Sequence, residues 1–154
     1  MRSFTKSLPM ALLRAREAVM NEFRPNLAAH DLNEQQWRVL RALSSAEPTI
    51  GVGELANRTL LLGPSLSRIL VRLEEQKLIA RTLDPFDARR SHIGITPKGV
   101  ELVGAIAPDS EQIYGGIERR FGKARLAKLI AELDALTEQE SRWQSEQSHQ
   151  ADDV

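Results

Sequence analysis

The chain has no cysteine among its 154 residues. That excludes a disulfide framework, a thiolate zinc site, an iron–sulfur cluster and a cysteine nucleophile. Histidine is scarce: only His30, His92 and His149 occur, far apart in sequence. Metal and nucleophilic catalysis are disfavoured on these absences, and neither a bound metal nor a cofactor is expected. No apolar run approaches the ~18 residues that a membrane span needs, and no signal-peptide pattern opens the chain. A soluble, cytoplasmic protein without a membrane partner is expected. Aromatic residues make up only 5% of the composition, and the 42% apolar and 27% charged fractions are ordinary for a globular protein. At about 150 residues per domain the length predicts a single domain over 1–154, long enough to bury one core.

An excess of charge of either sign is also lacking, because 21 basic side chains face 21 acidic ones. Zero net charge argues weakly against nucleic acid, yet the distribution says more. Residues 1–41 carry seven basic and four acidic side chains, and 51–100 carry eight and five. Residues 101–154 carry six basic and eleven acidic. One part of the chain can therefore face phosphates while another keeps the whole near neutral.

Apolar periodicity predicts a helix over 7–29, through Leu8, Leu12, Ala15, Val19, Phe23 and Leu27, with a kink or early stop at Pro25. Asn33 and Gln36 form a capping-box pattern that starts a second helix, striped by Trp37, Leu40 and Leu43. A short extended piece, Thr49-Ile50-Gly51, precedes a short helix over 53–60. Gly63 as cap and Pro64 at the first position then open a helix to about Lys77. Its stripe is Leu66, Ile69, Leu70 and Leu73. The alternating runs 79–83 and 91–95 read as a hairpin whose tip carries Asp87, Arg89 and Arg90. Thr96 caps a further helix starting at Pro97, with a kink or break expected near Pro108 and trouble at Gly115-Gly116. A last helix is expected over 123–143, then a polar, disordered tail over 145–154.

Two helices joined by a short turn and followed by a hairpin make a winged helix-turn-helix. The expected fold is mostly α with a small β-wing: a winged helix-turn-helix over 32–99, with dimerisation helices over 7–30 and 100–144. The physical logic points to double-stranded DNA. A major groove admits one helix, which needs an apolar face for anchoring and a short polar face for reading bases. Opposite the 66/69/70/73 stripe lie Ser65, Arg68 and Arg72, with Ser67 beside them. Arg68 is placed for a bidentate contact to guanine, and Arg89 on a thin wing can enter a narrow minor groove. Asp87 would orient Arg89. An enzyme is disfavoured, because Glu132, Asp134, Glu138 and Glu140 lie on a solvated helix face without a partner histidine. A winged helix that binds protein rather than DNA is the alternative. It would display apolar or aromatic anchors where Ser65, Arg68 and Arg89 stand.

The sequence resembles the MarR family of bacterial transcription regulators over about residues 8–140. The residues carrying the resemblance are Leu55-Ala56, Pro64-Ser65-Leu66-Ser67-Arg68, Leu73-Glu74, Leu78-Ile79-Ala80-Arg81, the Asp84–Arg90 wing, and Ile95-Thr96-Pro97-Lys98-Gly99. The segments 12–18, 23–25 and 32–38 resemble the HpaR group, whose members repress operons for homoprotocatechuate breakdown. The chain departs from the family pattern at Pro108, at Gly115-Gly116, and at Ala88 in the wing. The resemblance implies a homodimer on a pseudo-palindromic operator. The apolar stripes of 7–27 and 121–143, richer than one small winged domain needs, support the dimer. The resemblance further implies a small aromatic acid as effector, for which Arg16, Met20, His30, Trp37 and Arg38 are the expected contacts. Arginine would pair the carboxylate and Trp37 would stack on the ring.

Overall fold

The computed structural model describes residues 3–45, 49–83 and 91–152, the side chains of 144–152 excepted. The chain divides into two compact units, Met1–Glu111 and Gln112–Val154. A short 3-10 turn, Phe4–Lys6, leads into helix α1, Leu8–Ala29. Helix α2 spans Glu34–Ser44, strand β1 Ile50–Gly51, helix α3 Val52–Thr59 and helix α4 Gly63–Glu75. Strands β2, Ile79–Leu83, and β3, Ser91–Ile95, form the hairpin at the limits read from the sequence. Helix α5 runs from Pro97 to Phe121, across the division between the units, and helix α6 covers Lys123–Asp152.

The short extended piece read at 49–51 is strand β1, and it joins the hairpin in a three-stranded sheet. Its order is β1-β3-β2, all antiparallel, with Ile50 opposite Ile93 and Ile79 opposite Ile95. The extra strand places α3 directly against the sheet edge. One core fills the first unit. Leu27, Leu40, Leu55, Leu66, Leu70, Leu73, Ile93 and Ile106 are nearly or wholly inaccessible, and Leu66, Ile69, Leu70 and Leu73 are the buried face of α4. The 3.6-residue repeat of that stripe turns it inward and leaves the other face of α4 to solvent.

Several expected boundaries move. Pro25 neither stops nor shortens α1, and α5 is unbroken at Pro108. A proline inside a helix costs about 3 kcal/mol. Phe23 and Leu27 are buried on either side of Pro25, and two such side chains contribute roughly 3–6 kcal/mol. Around Pro108 the buried Val103 and Ile106 hold α5 in the same way. At Gly115 and Gly116 the side chains of Arg119 and Arg120, one turn on, lie across the missing side chains: a β-carbon would meet them at 3.4 and 3.1 Å. α6 continues to Asp152, through the segment expected to be a disordered tail. The cap of α4 is Leu62, so Gly63 is already helical and Pro64 is the second helical residue. A residue before proline is normally pushed out of the helical region by its β-carbon, and glycine has none.

Candidate nucleic-acid interface

The exposed face of α4 carries the polar residues singled out above. Ser67, Arg68 and Arg72 are exposed and Ser65 is half-buried. Arg68 folds back along the helix, its Nε donating to the Pro64 carbonyl at 3.3 Å. It has no acidic partner among the described residues, so its guanidinium keeps most of its donors for a ligand. Arg72 lies 3.6 Å from Glu75, one turn on, and both are largely exposed. At the start of α4 no side chain caps the helix and no acidic residue stands in the first turn. Its free N–H groups and the positive end of the helix dipole therefore face outward, an arrangement suited to phosphate. Asp87, Arg89 and Arg90, expected at the wing tip, lie outside the described residues.

A capping box starts α2, and a clasp of hydrogen bonds follows the end of α4. Asn33 Oδ1 accepts from the N–H groups of Gln35 and Gln36, while Gln36 Oε1 accepts from the Asn33 N–H, which completes the capping box read from the sequence. Beyond the end of α4 the chain turns through Lys77, whose φ is +60°. Thr96 ties that turn to α5: its hydroxyl donates to the Lys77 carbonyl at 2.8 Å and accepts from the Gly99 N–H at 3.1 Å.

A second polar cluster joins α1 to α2. Arg16 pairs with Glu17 at 2.8 Å and with Glu34, the first residue of α2. Arg24 pairs with Glu17 at 2.7 Å and with Glu34 at 3.2 Å. The hydrogen bond from Arg16, with the attraction of both guanidiniums, holds the Glu34 carboxyl below the ordinary carboxylate range. Beside it lies a cavity of about 230 Å³ lined by Arg24, Leu27, Ala28, Leu32, Asn33 and Glu34.

Of the residues expected to hold an effector, Arg16 reaches this cavity only through Glu34, and none of the five lines it. Met20 is half-buried, and His30 caps the end of α1 through its backbone N–H. Trp37 packs against the core with Arg41 stacked 5.9 Å from its ring centre. Arg38 donates to the Thr59 carbonyl at 3.0 Å, closing the end of α3. The sequence reading missed Arg24 and Glu34. The signal was present in the i, i+4, i+8 spacing of Arg16, Met20 and Arg24, which puts all three on one face of α1.

Helix, sheet and solvent-facing α4 together define a winged helix-turn-helix DNA-binding protein. The MarR family's sequence profile matches residues 30–90. The homoprotocatechuate degradative operon repressor of Escherichia coli is 39% identical over 128 residues, which are 83% of this chain and 86% of that one. The solved transcriptional regulator PA4135 superposes with a TM-score of 0.81 at 40% identity, over 86% of this chain and 96% of that one. NadR in complex with 4-hydroxyphenylacetate gives 0.75 at 34% identity, over 88% and 96%. The chain belongs to the MarR family: it is a DNA-binding transcriptional regulator, not an enzyme. Among the described residues no helix is long and apolar enough to cross a membrane.

Proposed function

We propose that the protein is a cytoplasmic, homodimeric repressor of an operon for aromatic-acid breakdown, released from DNA by a small phenolic or aromatic carboxylate. The observation that carries this reading is the 39% identity to a repressor named for homoprotocatechuate degradation. A similar structure that holds 4-hydroxyphenylacetate supports it. Ser65, Ser67, Arg68 and Arg72 contact the major groove, and Asp87, Arg89 and Arg90 serve the wing. Two copies of α4 related by a two-fold axis read half-sites about 10 bp apart. Exposed apolar side chains on α1 (Leu8, Leu12, Leu13 and Val19) and, in the second unit, Tyr114, Leu129, Ile130 and Trp143 supply surface for the dimer.

Arg16, Met20, His30, Trp37 and Arg38 surround the effector in this reading. Its carboxylate competes with Glu34 for Arg16 and so loosens the tie between α1 and the start of α2. That gives the effector different affinities for two conformations, without which it shifts nothing. A coupling of about 1–3 kcal/mol weakens operator binding ~5–150-fold. The test is selection of genomic fragments by the purified protein, repeated with a panel of phenolic acids that includes 3,4-dihydroxyphenylacetate and 4-hydroxyphenylacetate. Release by one of these acids, lost in Arg16→Ala, is expected. Fragments from aromatic-catabolic operons that no acid releases would refute the effector, and a random set of fragments would refute the operon.

A further inference from the structure

The chain at the head of α4 is apolar where solvent would favour polar residues. Leu60 is 87% exposed and Leu62 79% exposed, the highest values among the exposed large apolar residues described. Leu61 between them is buried. Leu60 also sits in the left-handed region, at φ +52°, where a β-carbon is disfavoured and asparagine or glycine is at ease. Neither exposure nor backbone gives the fold a reason for leucine here. Ser67 and Arg68 stand exposed on the same helix and the first turn has no acidic residue, so the surroundings suit a phosphate-rich surface.

We propose that Leu62, flanked by Leu60, recognises thymine by packing on its 5-methyl group in the major groove. The inference rests on the reading that α4 enters that groove. The groove edge is polar apart from the thymine methyl, which is the feature an apolar side chain can read there. Leu62 precedes Arg68 by six residues, about 9 Å along a helix rising 1.5 Å per residue. Base pairs stack about 3.4 Å apart. The thymine therefore falls within about three base pairs of the base that Arg68 reads. The two readers then stand about 9 Å apart along the axis, the apolar one at the N-terminal end of α4 and the charged one near its middle.

The experiment uses the full chain and a duplex that it selects from a random-sequence library. Each thymine is replaced in turn by deoxyuridine, which lacks only the methyl group, and affinity is measured by fluorescence anisotropy. For the wild type, one or two replacements within three base pairs of the Arg68 position are expected to weaken binding about fourfold, the worth of one buried carbon. In Leu62→Ala the same replacements should cost nothing further. Leu60→Asn should bind more weakly while its unfolding midpoint rises, because the left-handed residue is relieved. Equal deoxyuridine costs in wild type and Leu62→Ala, or no sensitive thymine, overturn the inference. If Arg68→Ala still relaxes one base preference, the placement of α4 survives that result. If Arg68→Ala leaves specificity untouched, or no duplex is selected, the placement itself fails and the inference falls with it.

Discussion

Replacing Gly99 with alanine sets helix propensity against packing, and the two predict opposite signs. Gly99 is the third residue of α5, and propensity alone says that alanine there stabilises by about 1 kcal/mol. The surroundings say otherwise. A β-carbon on Gly99 would stand 2.2 Å from the Leu78 carbonyl oxygen and 2.7 Å from Ile95 Cγ1. Backbone must then retreat by about an ångström to restore ordinary contact. It is not free to do so. Leu78 O accepts from the Thr96 N–H at 3.0 Å, Thr96 donates to Lys77 at 2.8 Å, and Lys98 Nζ donates to the Gln76 carbonyl at 2.9 Å. Losing two of these bonds costs about 1 kcal/mol each, and overpacking adds roughly 1–3 kcal/mol. Set against the propensity gain, Gly99→Ala should destabilise by about 2–4 kcal/mol and lower Tm by on the order of 10 °C. Urea and thermal unfolding of the full chain measure it. A variant as stable as the wild type, or more stable, would refute the packing argument.

Asn33→Ala removes the acceptor for two N–H groups of α2 and should cost about 1 kcal/mol in urea unfolding. Arg68→Ala should weaken operator binding by about 1–3 kcal/mol and relax one base position. Arg72→Ala should instead weaken all duplexes alike and reduce the slope of log affinity against log salt by roughly 0.9; both are read by anisotropy across a salt series. The Glu34 carboxyl titrates lower in the folded chain than its ordinary value near 4.5, first through the Arg16 hydrogen bond. Its contribution is therefore present above the unfolded value and is lost as pH falls through the folded one. Glu34→Gln should flatten the acid limb of stability against pH; an unchanged limb would show that other carboxylates set it.

The elements most legible in the sequence were those governed by local rules. The two hairpin strands fall at the residues where apolar alternation put them, and Asn33 caps α2 with Gln36 as its pattern required. The α4 stripe turned inward because four aliphatic residues at helical spacing leave no other packing. Other features depended on partners distant in sequence. The short extended piece at 49–51 was legible, but its place in the sheet rests on Ile50 and Gly51 pairing with Ile93 and His92, some forty residues on. The cluster of Arg16, Arg24, Glu17 and Glu34 exists because α1 returns past the start of α2. The reason for glycine at position 99 is likewise tertiary: the Leu78 carbonyl occupies the space of a side chain.

Local rules fail together in one place, the segment that leads into α4. Leu60 is left-handed without being glycine or asparagine. Leu62 caps a helix with no side-chain acceptor, and both leucines are open to solvent. Elsewhere in the same unit an asparagine and a glutamine satisfy the first N–H groups of α2. Helices α1 and α3 also begin without a side-chain cap, so what sets the head of α4 apart is its pair of exposed leucines. Groups left unsatisfied by the chain are available to something outside it, and violations of local preference concentrate where function demands them. Free N–H groups suit a phosphate, and exposed aliphatic carbon suits a base methyl. One ligand offers both within a few ångströms, the major groove of DNA, so the departures from good folding practice at 60–63 and the polar face of α4 have a common explanation.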